Sequence, residues 1–343
     1  MFWLLVAVAA GLIQGSFALP MKYTRPWKWE HTWSLWAVWA LLIGPWATGA
    51  ATVPGLLGVL GDVPAGVLLV TFLVSLLWGV GAIAFGFGIE CLGMALGYAI
   101  IAALTTAFGS LIPLFIGRGE VPGQAVGAIV AGVAVMMVGL AVGAWAGLLK
   151  EKALQAAAGP SAEAVGDGGR KSVAAGLLFC AVAGVGGSLF NIAFVCGRPI
   201  QDAAAAVVTE PAFAPNAVWC VSLLGGLFTN VIYCLGLVHR HRDWALFLRP
   251  GTGLNWLRTA AMGLMWFGSL VLYGISSAKL GPLGPSVGFA IFLGTAILTS
   301  NAWGILTGEW RGAGPRPLRV LMAGVAVLLA GMVLIAWSRA LSD

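Results

Sequence analysis

Ten long apolar runs dominate this sequence, each close to the ~20 residues that an α-helix needs to cross a bilayer. They lie at residues 2–19, 33–50, 64–86, 93–115, 125–148, 173–196, 216–238, 256–276, 284–307 and 318–338. Only 9% of the residues are charged, against about 25% in soluble domains, so lipid must cover most of the surface. Because the runs lack the alternation of barrel strands, the sequence predicts an all-α polytopic membrane protein with ten transmembrane helices.

The second half of the chain repeats parts of the first. Trp78 aligns with Trp266 at an offset of 188 positions, and the pentapeptide 131–135 recurs unchanged as residues 323–327. The match predicts two five-helix repeats, and an odd number of helices makes the second repeat inverted relative to the first. The predicted division is residues 1–148 for the first repeat, 149–172 for a cytoplasmic linker and 173–343 for the second repeat.

The basic residues predict the orientation. The odd-numbered connections between spans hold fourteen of the 18 Lys and Arg residues. Positive charge concentrates on cytoplasmic loops, so these connections are predicted to be cytoplasmic and both termini periplasmic. The excess of positive charge therefore serves orientation in the lipid bilayer, and no nucleic-acid partner is predicted. A monomer is sufficient for this plan.

The sequence predicts no metal site, no cofactor and no enzymatic activity. Its five cysteines form no CxxC pair and lie mostly in apolar stretches, which favours packing thiols. Its histidines lie in polar connections, without the spacing of a zinc site. Enzymes that act on lipids usually show clustered nucleophiles, and none is found here. The histidines are His31, His239 and His241.

Polar side chains within the spans are the candidates for substrate binding, because they are costly at membrane depth. No acidic or basic residue lies clearly mid-span, which disfavours an ion channel, a metal transporter or a pump for organic ions. Hydroxyl and amide groups suit a neutral polyol, although hydrogen bonding between helices explains any one of them equally well. The candidates are Gln14, Tyr98, Asn191, Asn230, Ser269, Tyr273 and Asn301.

Two tryptophans stand out from the 16 in the chain. Trp78 and Trp266 occupy equivalent positions of the two repeats, within spans three and eight. A symmetric aromatic pair is suited to stacking on the two faces of a sugar ring. Plain packing between helices is the equal alternative.

Coupling to protons needs a titratable group, and two carboxylates are the best candidates. Glu30 follows Trp27-Lys28-Trp29 at the mouth of span two, and Asp202 follows Arg198-Pro199 at the end of span six. Lys22 is a candidate cytoplasmic gate. The alternative for the carboxylates is a solvated rim charge, and for Lys22 a side chain anchored at the membrane interface.

Several strings resemble, in order along nearly the whole chain, the L-rhamnose–proton symporter family of the drug/metabolite transporter superfamily. The resemblance implies a bacterial inner-membrane importer with ten helices in two inverted repeats, which uses the proton gradient to take up a deoxyhexose such as L-rhamnose. The strings are Pro20-Met21-Lys22, Trp27-Lys28-Trp29-Glu30, Trp78-Gly79-Val80-Gly81, Arg198-Pro199-Ile200-Gln201-Asp202 and Gly263-Leu264-Met265-Trp266.

The chain departs from the family pattern at a few positions. Asp202 stands where the family has glutamate, Gln201 where it has histidine, and Ser269 where it has an amide. The pocket is therefore less polar, and the sequence leaves open which monosaccharide is carried. We expect proton-coupled uptake by alternating access at a midplane site. The alternative is an exporter of small neutral metabolites or amino acids on the same fold.

Overall fold

The computed structural model describes residues 2–116, 121–158 and 173–341, and no strand occurs among them. Thirteen α-helices, numbered here in chain order, make up most of this part of the chain. They are α1 Phe2–Ser16, α2 Trp29–Val38, α3 Gly44–Thr52, α4 Leu56–Asp62, α5 Ala65–Leu92, α6 Met94–Ile116, α7 Gly123–Ala158, α8 Val173–Cys196, α9 Arg198–Ala205, α10 Pro215–His241, α11 Gly253–Lys279, α12 Phe289–Leu306 and α13 Pro315–Trp337.

Among the described residues, ten helical stretches are long and apolar enough to cross a membrane, and each overlaps one predicted span. The predicted class, an all-α polytopic membrane protein, is therefore confirmed. Helices satisfy every backbone group internally, which explains why uninterrupted apolar runs take this form in lipid. The inverted relation of the two halves stays a prediction.

The structure defines the connection between spans three and four and the end of span five. Spans three and four are separated only by Gly93, whose positive φ of 82° reverses the chain without a loop. Span five continues as α7 to Ala158, so residues 149–158 of the predicted linker are helical. The rest of the predicted linker, residues 159–172, lies outside the described residues.

Span two is interrupted by a π-helical turn. After α2, residues Trp39–Ile43 form this turn, and α3 begins at Gly44 with Pro45 in its first turn. Proline has no N–H to give to the preceding turn, which explains why the α-helical pattern breaks here. A second π turn, Gly284–Gly288, precedes α12 and contains Pro285.

The helices group into two compact units. The first consists of Met1–Val80 and Leu189–Thr299. Its core is rich in large aromatic side chains, and Trp219, Tyr273 and Phe289 are nearly or completely buried. The first unit contains most of the candidate substrate and proton residues.

The second unit consists of Gly81–Ser188 and Ser300–Asp343. Several of its helices pack closely through glycines. A Cβ atom on Gly139 of α7 would lie 2.7 Å from the backbone nitrogen of Leu328 of α13, and one on Gly81 would lie 2.7 Å from Cα of Gly186. Such small faces let helix backbones approach closely, as expected from their i, i+4 spacing in α7.

Candidate functional site

Five large rings from five helices meet in the first unit. Trp36 of α2 meets Trp266 of α11 edge-on at 5.3 Å, and Trp78 of α5 stacks against Trp266 at 6.1 Å. Phe190 of α8 lies 5.5 Å from Trp78 and stacks against Trp219 of α10 at 5.6 Å. We call these five side chains the aromatic cluster. Such surfaces bind the C–H faces of apolar or amphipathic ligands.

A glycine makes the position of Trp78 available. A Cβ atom on Gly226 of α10 would clash with the six-membered ring of Trp78. The indole therefore lies directly on the α10 backbone, and no larger residue fits at position 226 without moving it. Gly226 also accepts a 2.8 Å hydrogen bond from Asn230 Nδ2 through its carbonyl.

The Trp78 and Trp266 rings contact each other rather than leaving a slot. Their centroids are 6.1 Å apart and their planes differ by 18°. A sugar ring sandwiched between two planes needs about 7–8 Å, twice the optimal carbon–carbon contact distance. In this arrangement a sugar ring does not fit between these two rings.

Two indole N–H groups of the aromatic cluster have no hydrogen-bond partner among the described residues. These are Nε1 of Trp36, which is 2% exposed, and Nε1 of Trp219, which is fully buried. Buried donors without a partner are rare and cost about 1–3 kcal/mol each. These two buried donors are candidates for a hydrogen bond to a ligand hydroxyl or to a water molecule.

The predicted polar residues of the first unit form pairs close to these rings. Ser269 Oγ donates to Gln14 Oε1 at 2.7 Å and lies 2.6 Å from the carbonyl of Trp266. Trp33 Nε1 donates to Asn230 Oδ1 at 2.9 Å. These contacts connect α1 to α11 and α2 to α10, so helix-to-helix hydrogen bonding accounts for part of their polarity.

Asn191 and Tyr273 form a further pair. The Tyr273 hydroxyl donates to Asn191 Oδ1, and Asn191 Nδ2 donates to the Pro285 carbonyl at 2.8 Å. Both side chains are completely buried. The pair thereby connects α8 and α11 to the π turn before α12.

The remaining two predicted substrate residues belong to the second unit. Tyr98 of α6 is 39% exposed and meets Phe85 edge-on at 6.2 Å. Asn301 of α12 is partly buried. The structure thus brings seven of the nine predicted substrate residues into the first unit, and Tyr98 and Asn301 lie in the second.

The structure distinguishes the two predicted proton carriers by burial. Glu30, in the first turn of α2, is 6% exposed, and its Oε1 lies 3.0 Å from Nδ1 of His241 at the end of α10. Asp202 is exposed on the short helix α9. Lys22, the predicted gate, is exposed in the 3₁₀ segment Leu19–Tyr23.

Sequence reasoning missed the groups that surround Glu30. The sequence places His241 in a polar connection, yet its side chain contacts Glu30, which lies 211 positions earlier in the chain. Lys28 forms an ion pair with Asp243. The hydrogen bond from Lys28 lowers the pKa of Asp243, and the same bond raises the pKa of Lys28. No local pattern signals these contacts, because the partners lie in separate parts of the chain.

The same group has the composition of a metal site. Ligand atoms of Glu30, His241 and Asp243 all lie within 4.8 Å of one another. However, Lys28 already supplies a positive charge to Asp243. We therefore assign no metal to this group.

Ten helical stretches of the described residues are long enough to cross a membrane, and aromatic, amide and hydroxyl side chains are buried among them, which defines the chain as a polytopic membrane protein with a candidate binding site. The family model for the L-rhamnose-proton symport protein (RhaT) matches residues 1–340, and the chain belongs to this family. The predicted family membership is therefore confirmed. Because the relatives are named as transporters, the prediction that the protein is not an enzyme is also supported.

Curated relatives cover nearly the whole chain. One from Cronobacter sakazakii is 29% identical over 335 residues, which is 95% of this chain and 93% of the relative. One from Klebsiella pneumoniae is 28% identical over 336 residues, 96% of this chain and 94% of the relative. One from Salmonella dublin is 27% identical over the same shares. Each relative is named L-rhamnose-proton symporter.

Proposed function

We propose that this protein imports L-rhamnose, or a related deoxyhexose, together with protons across the bacterial inner membrane. Family membership supports this substrate class, since the relatives are named for it. The observation that carries the proposal is the aromatic cluster with the unpartnered N–H groups of Trp36 and Trp219. A deoxyhexose has a methyl group and C–H faces for the rings, and hydroxyls that accept from the indoles.

The proposed sugar site lies against the aromatic cluster. Trp78 and Trp266 offer aromatic surface, and the polar pairs beside them exchange hydrogen bonds with the sugar hydroxyls. We propose that alternating access opens this site to each side of the membrane in turn, near the midplane. Tyr98 and Asn301 stay predicted contacts. The polar residues proposed in the first unit are Gln14, Asn191, Asn230, Ser269 and Tyr273.

Glu30 is the carboxylate that best fits a proton carrier. A buried carboxylate gains most from being neutralised, so proton binding there changes the energy of the surrounding structure strongly. Asp202 is exposed to solvent, and its charge is screened whether or not the helices move. Glu30→Gln is expected to abolish sugar accumulation, with Asp202→Asn as the direct comparison for the second candidate. Lys22 stays the predicted gate.

The orientation has its own test. With both termini periplasmic, the connection between spans two and three is periplasmic as well, and a single cysteine introduced there at the exposed Asp62 in a cysteine-free variant reacts with an impermeant maleimide added to intact cells. A cysteine at the exposed Arg249, in the connection predicted to be cytoplasmic between spans seven and eight, reacts only after the membrane is opened. The reverse pattern contradicts the proposed orientation.

Transport itself is tested in proteoliposomes. Radiolabelled L-rhamnose is expected to accumulate under an inward proton gradient and to leak out when an uncoupler is added. An exporter of neutral metabolites, the alternative on the same fold, shows no rhamnose binding and no uptake under this gradient.

The sugar site is tested by removing one N–H group. Trp36→Phe keeps a ring but loses the unpartnered donor, and is expected to weaken rhamnose binding about tenfold, the value of one hydrogen bond. Trp46→Phe is the matched control, because Trp46 Nε1 is also unpartnered but its ring is outside the aromatic cluster. Equal losses in both variants contradict the proposed site. Binding is measured by tryptophan fluorescence of the purified protein.

A further inference from the structure

Glu30 is buried, but its partner reaches water. The Glu30 side chain is 8% exposed and that of His241 is 43% exposed, with 3.0 Å between Glu30 Oε1 and His241 Nδ1. A proton that leaves Glu30 therefore has a titratable group within hydrogen-bond distance on its way to solvent. Histidine suits this role because its ordinary pKa, about 6.5, lies near physiological pH.

Other charged and titratable groups lie close to Glu30 and His241. Lys28 and Asp243 form an ion pair, and Lys28 also lies within range of the Glu30 charge. His31 places Nε2 3.0 Å from the backbone carbonyl of Asp243. By formal charge, with histidine counted as neutral, Lys28 contributes one positive charge and Asp243 and Glu30 one negative charge each, so these three sum to one negative charge. Arg240 and Arg242, which flank His241 in the chain, are exposed, and water screens their charges.

Cys234 is the remaining titratable neighbour. It lies on α10, the helix that ends at His241, and is completely buried. It is close enough for the charge of Glu30 to act on its thiol. A neutral thiol adds no charge, so the count for the group is unchanged.

The same two helices carry the proposed sugar contacts. Glu30 is followed at helical spacing by Trp33 and Trp36 on α2, and α10 carries Asn230 as well as His241. Trp33 donates to Asn230, and Trp36 meets Trp266. A charge change between Glu30 and His241 therefore acts on the helices that hold the aromatic cluster.

We propose that His241 is the exit relay for the transported proton, accepting it from Glu30 and passing it to water at the cytoplasmic mouth. The Glu30 carboxylic acid gives its proton to a neutral His241 imidazole, which leaves a carboxylate and an imidazolium. The imidazolium then releases a proton to water and returns to the neutral ring. The inference rests on the proposed proton-coupled function and orientation, and concerns only the release step.

The test uses full-length protein in proteoliposomes and the substitution His241→Asn. The asparagine amide keeps a polar group near the position of Nδ1 but cannot carry a proton. Accumulation of radiolabelled L-rhamnose under an inward proton gradient is expected to fall at least about tenfold. Its dependence on internal pH, between about pH 5 and 8, is expected to flatten. Sugar counterflow without a gradient, which needs no net proton release, is expected to be unchanged.

His239→Asn is the matched control, because His239 is exposed on the same helix two residues away. A wild-type accumulation and pH profile in His241→Asn overturns the inference, as does an equal loss in His239→Asn. His241→Gln is the second variant, and loss of counterflow in both His241 variants assigns the residue a structural role and also overturns it. Wild-type protein without proton-driven rhamnose uptake contradicts the proposed function instead.

Discussion

Trp33 Nε1 donates a 2.9 Å hydrogen bond to Asn230 Oδ1, whereas Trp36, three residues further along the same helix, keeps its indole N–H without a partner among the described residues. The two rings also contact each other, with centroids 4.2 Å apart. Helix α2 thus presents one satisfied and one unsatisfied donor side by side. The first bond holds α2 against α10, and the second group is the donor that we propose binds a sugar hydroxyl.

This difference predicts unequal effects on stability. Both Trp→Phe changes lose ring volume, and Trp33→Phe also removes the donor to the buried amide oxygen of Asn230, which is expected to cost a further ~1–3 kcal/mol. Trp36→Phe removes a donor that has no partner among the described residues, so in the absence of sugar it is expected to be less destabilising than Trp33→Phe. Thermal unfolding in detergent, without sugar, measures both. A loss in Trp36→Phe as large as that in Trp33→Phe contradicts the prediction.

The contact between Gly226 and Trp78 predicts a local effect on binding. Gly226→Ala places a methyl group where the Trp78 ring lies, and it is expected to displace the indole and cost about 1–3 kcal/mol. Rhamnose binding is expected to weaken with it. Gly236→Ala, in the same helix, meets nothing within 4 Å and is expected to leave both quantities unchanged or to raise stability slightly. Thermal unfolding measures the stability of the two variants, and fluorescence titration with rhamnose measures their affinity. Equal stability and equal affinity in Gly226→Ala and Gly236→Ala contradict the prediction.

A second glycine pair tests the packing of α7 against α13. Gly139→Ala brings its methyl carbon to 2.7 Å from the backbone nitrogen of Leu328, so the helices must separate, at a cost of about 1–3 kcal/mol. Gly143→Ala, one turn away, meets nothing within 4 Å and is expected to gain up to about 1 kcal/mol in helix propensity. Melting temperatures compare the two. A stable Gly139→Ala protein shows that this helix contact is loose.

The ion pair between Lys28 and Asp243 predicts a dependence on acid pH. The hydrogen bond from Lys28 holds the pKa of Asp243 below its ordinary value of about 3.9. The folded state therefore binds fewer protons than the unfolded state in this window, and stability falls as pH falls. The contribution of Asp243 is complete above about pH 5 and is lost as pH drops through the lowered pKa.

Asp243→Asn is accordingly expected to melt below wild type at neutral pH and to approach it in acid. Asp202→Asn, which removes an exposed carboxylate from α9, is the control and is expected to change little. A melting difference between Asp243→Asn and wild type that is the same at pH 7 and in acid contradicts the assignment.

The ten spans were predictable because their cause is local. A helix in lipid needs only a long apolar run that satisfies its own backbone, and every predicted run overlaps a helical stretch that is long and apolar enough to cross a membrane. The ends of the helices and the interruptions within them were harder to predict from the sequence. The π turn at Trp39–Ile43 precedes Pro45, and α7 continues to Ala158, past its apolar run, so mean hydropathy predicted neither feature.

The candidate site was predictable in residue type and less so in partners. Spacing indicated that Trp78 and Trp266 are equivalent, but whether their rings frame a slot or touch depends on helix separation, which Gly226 and its neighbours set. The amide and hydroxyl residues were predicted because burying such groups in lipid is energetically costly. Their partners, such as Gln14 for Ser269, depend on the tertiary structure.

The sequence by itself determined the class of protein, the number of its spans and the family it belongs to, because composition and motif order are properties of the chain alone. Only the tertiary structure decided that Glu30 is buried and Asp202 is exposed. It also decided that His241 contacts Glu30, although 211 positions separate them in the chain. Burial and contact depend on which distant helices meet. The electrostatic energy of a carboxylate depends on those neighbours far more than on the residues adjacent to it in the chain.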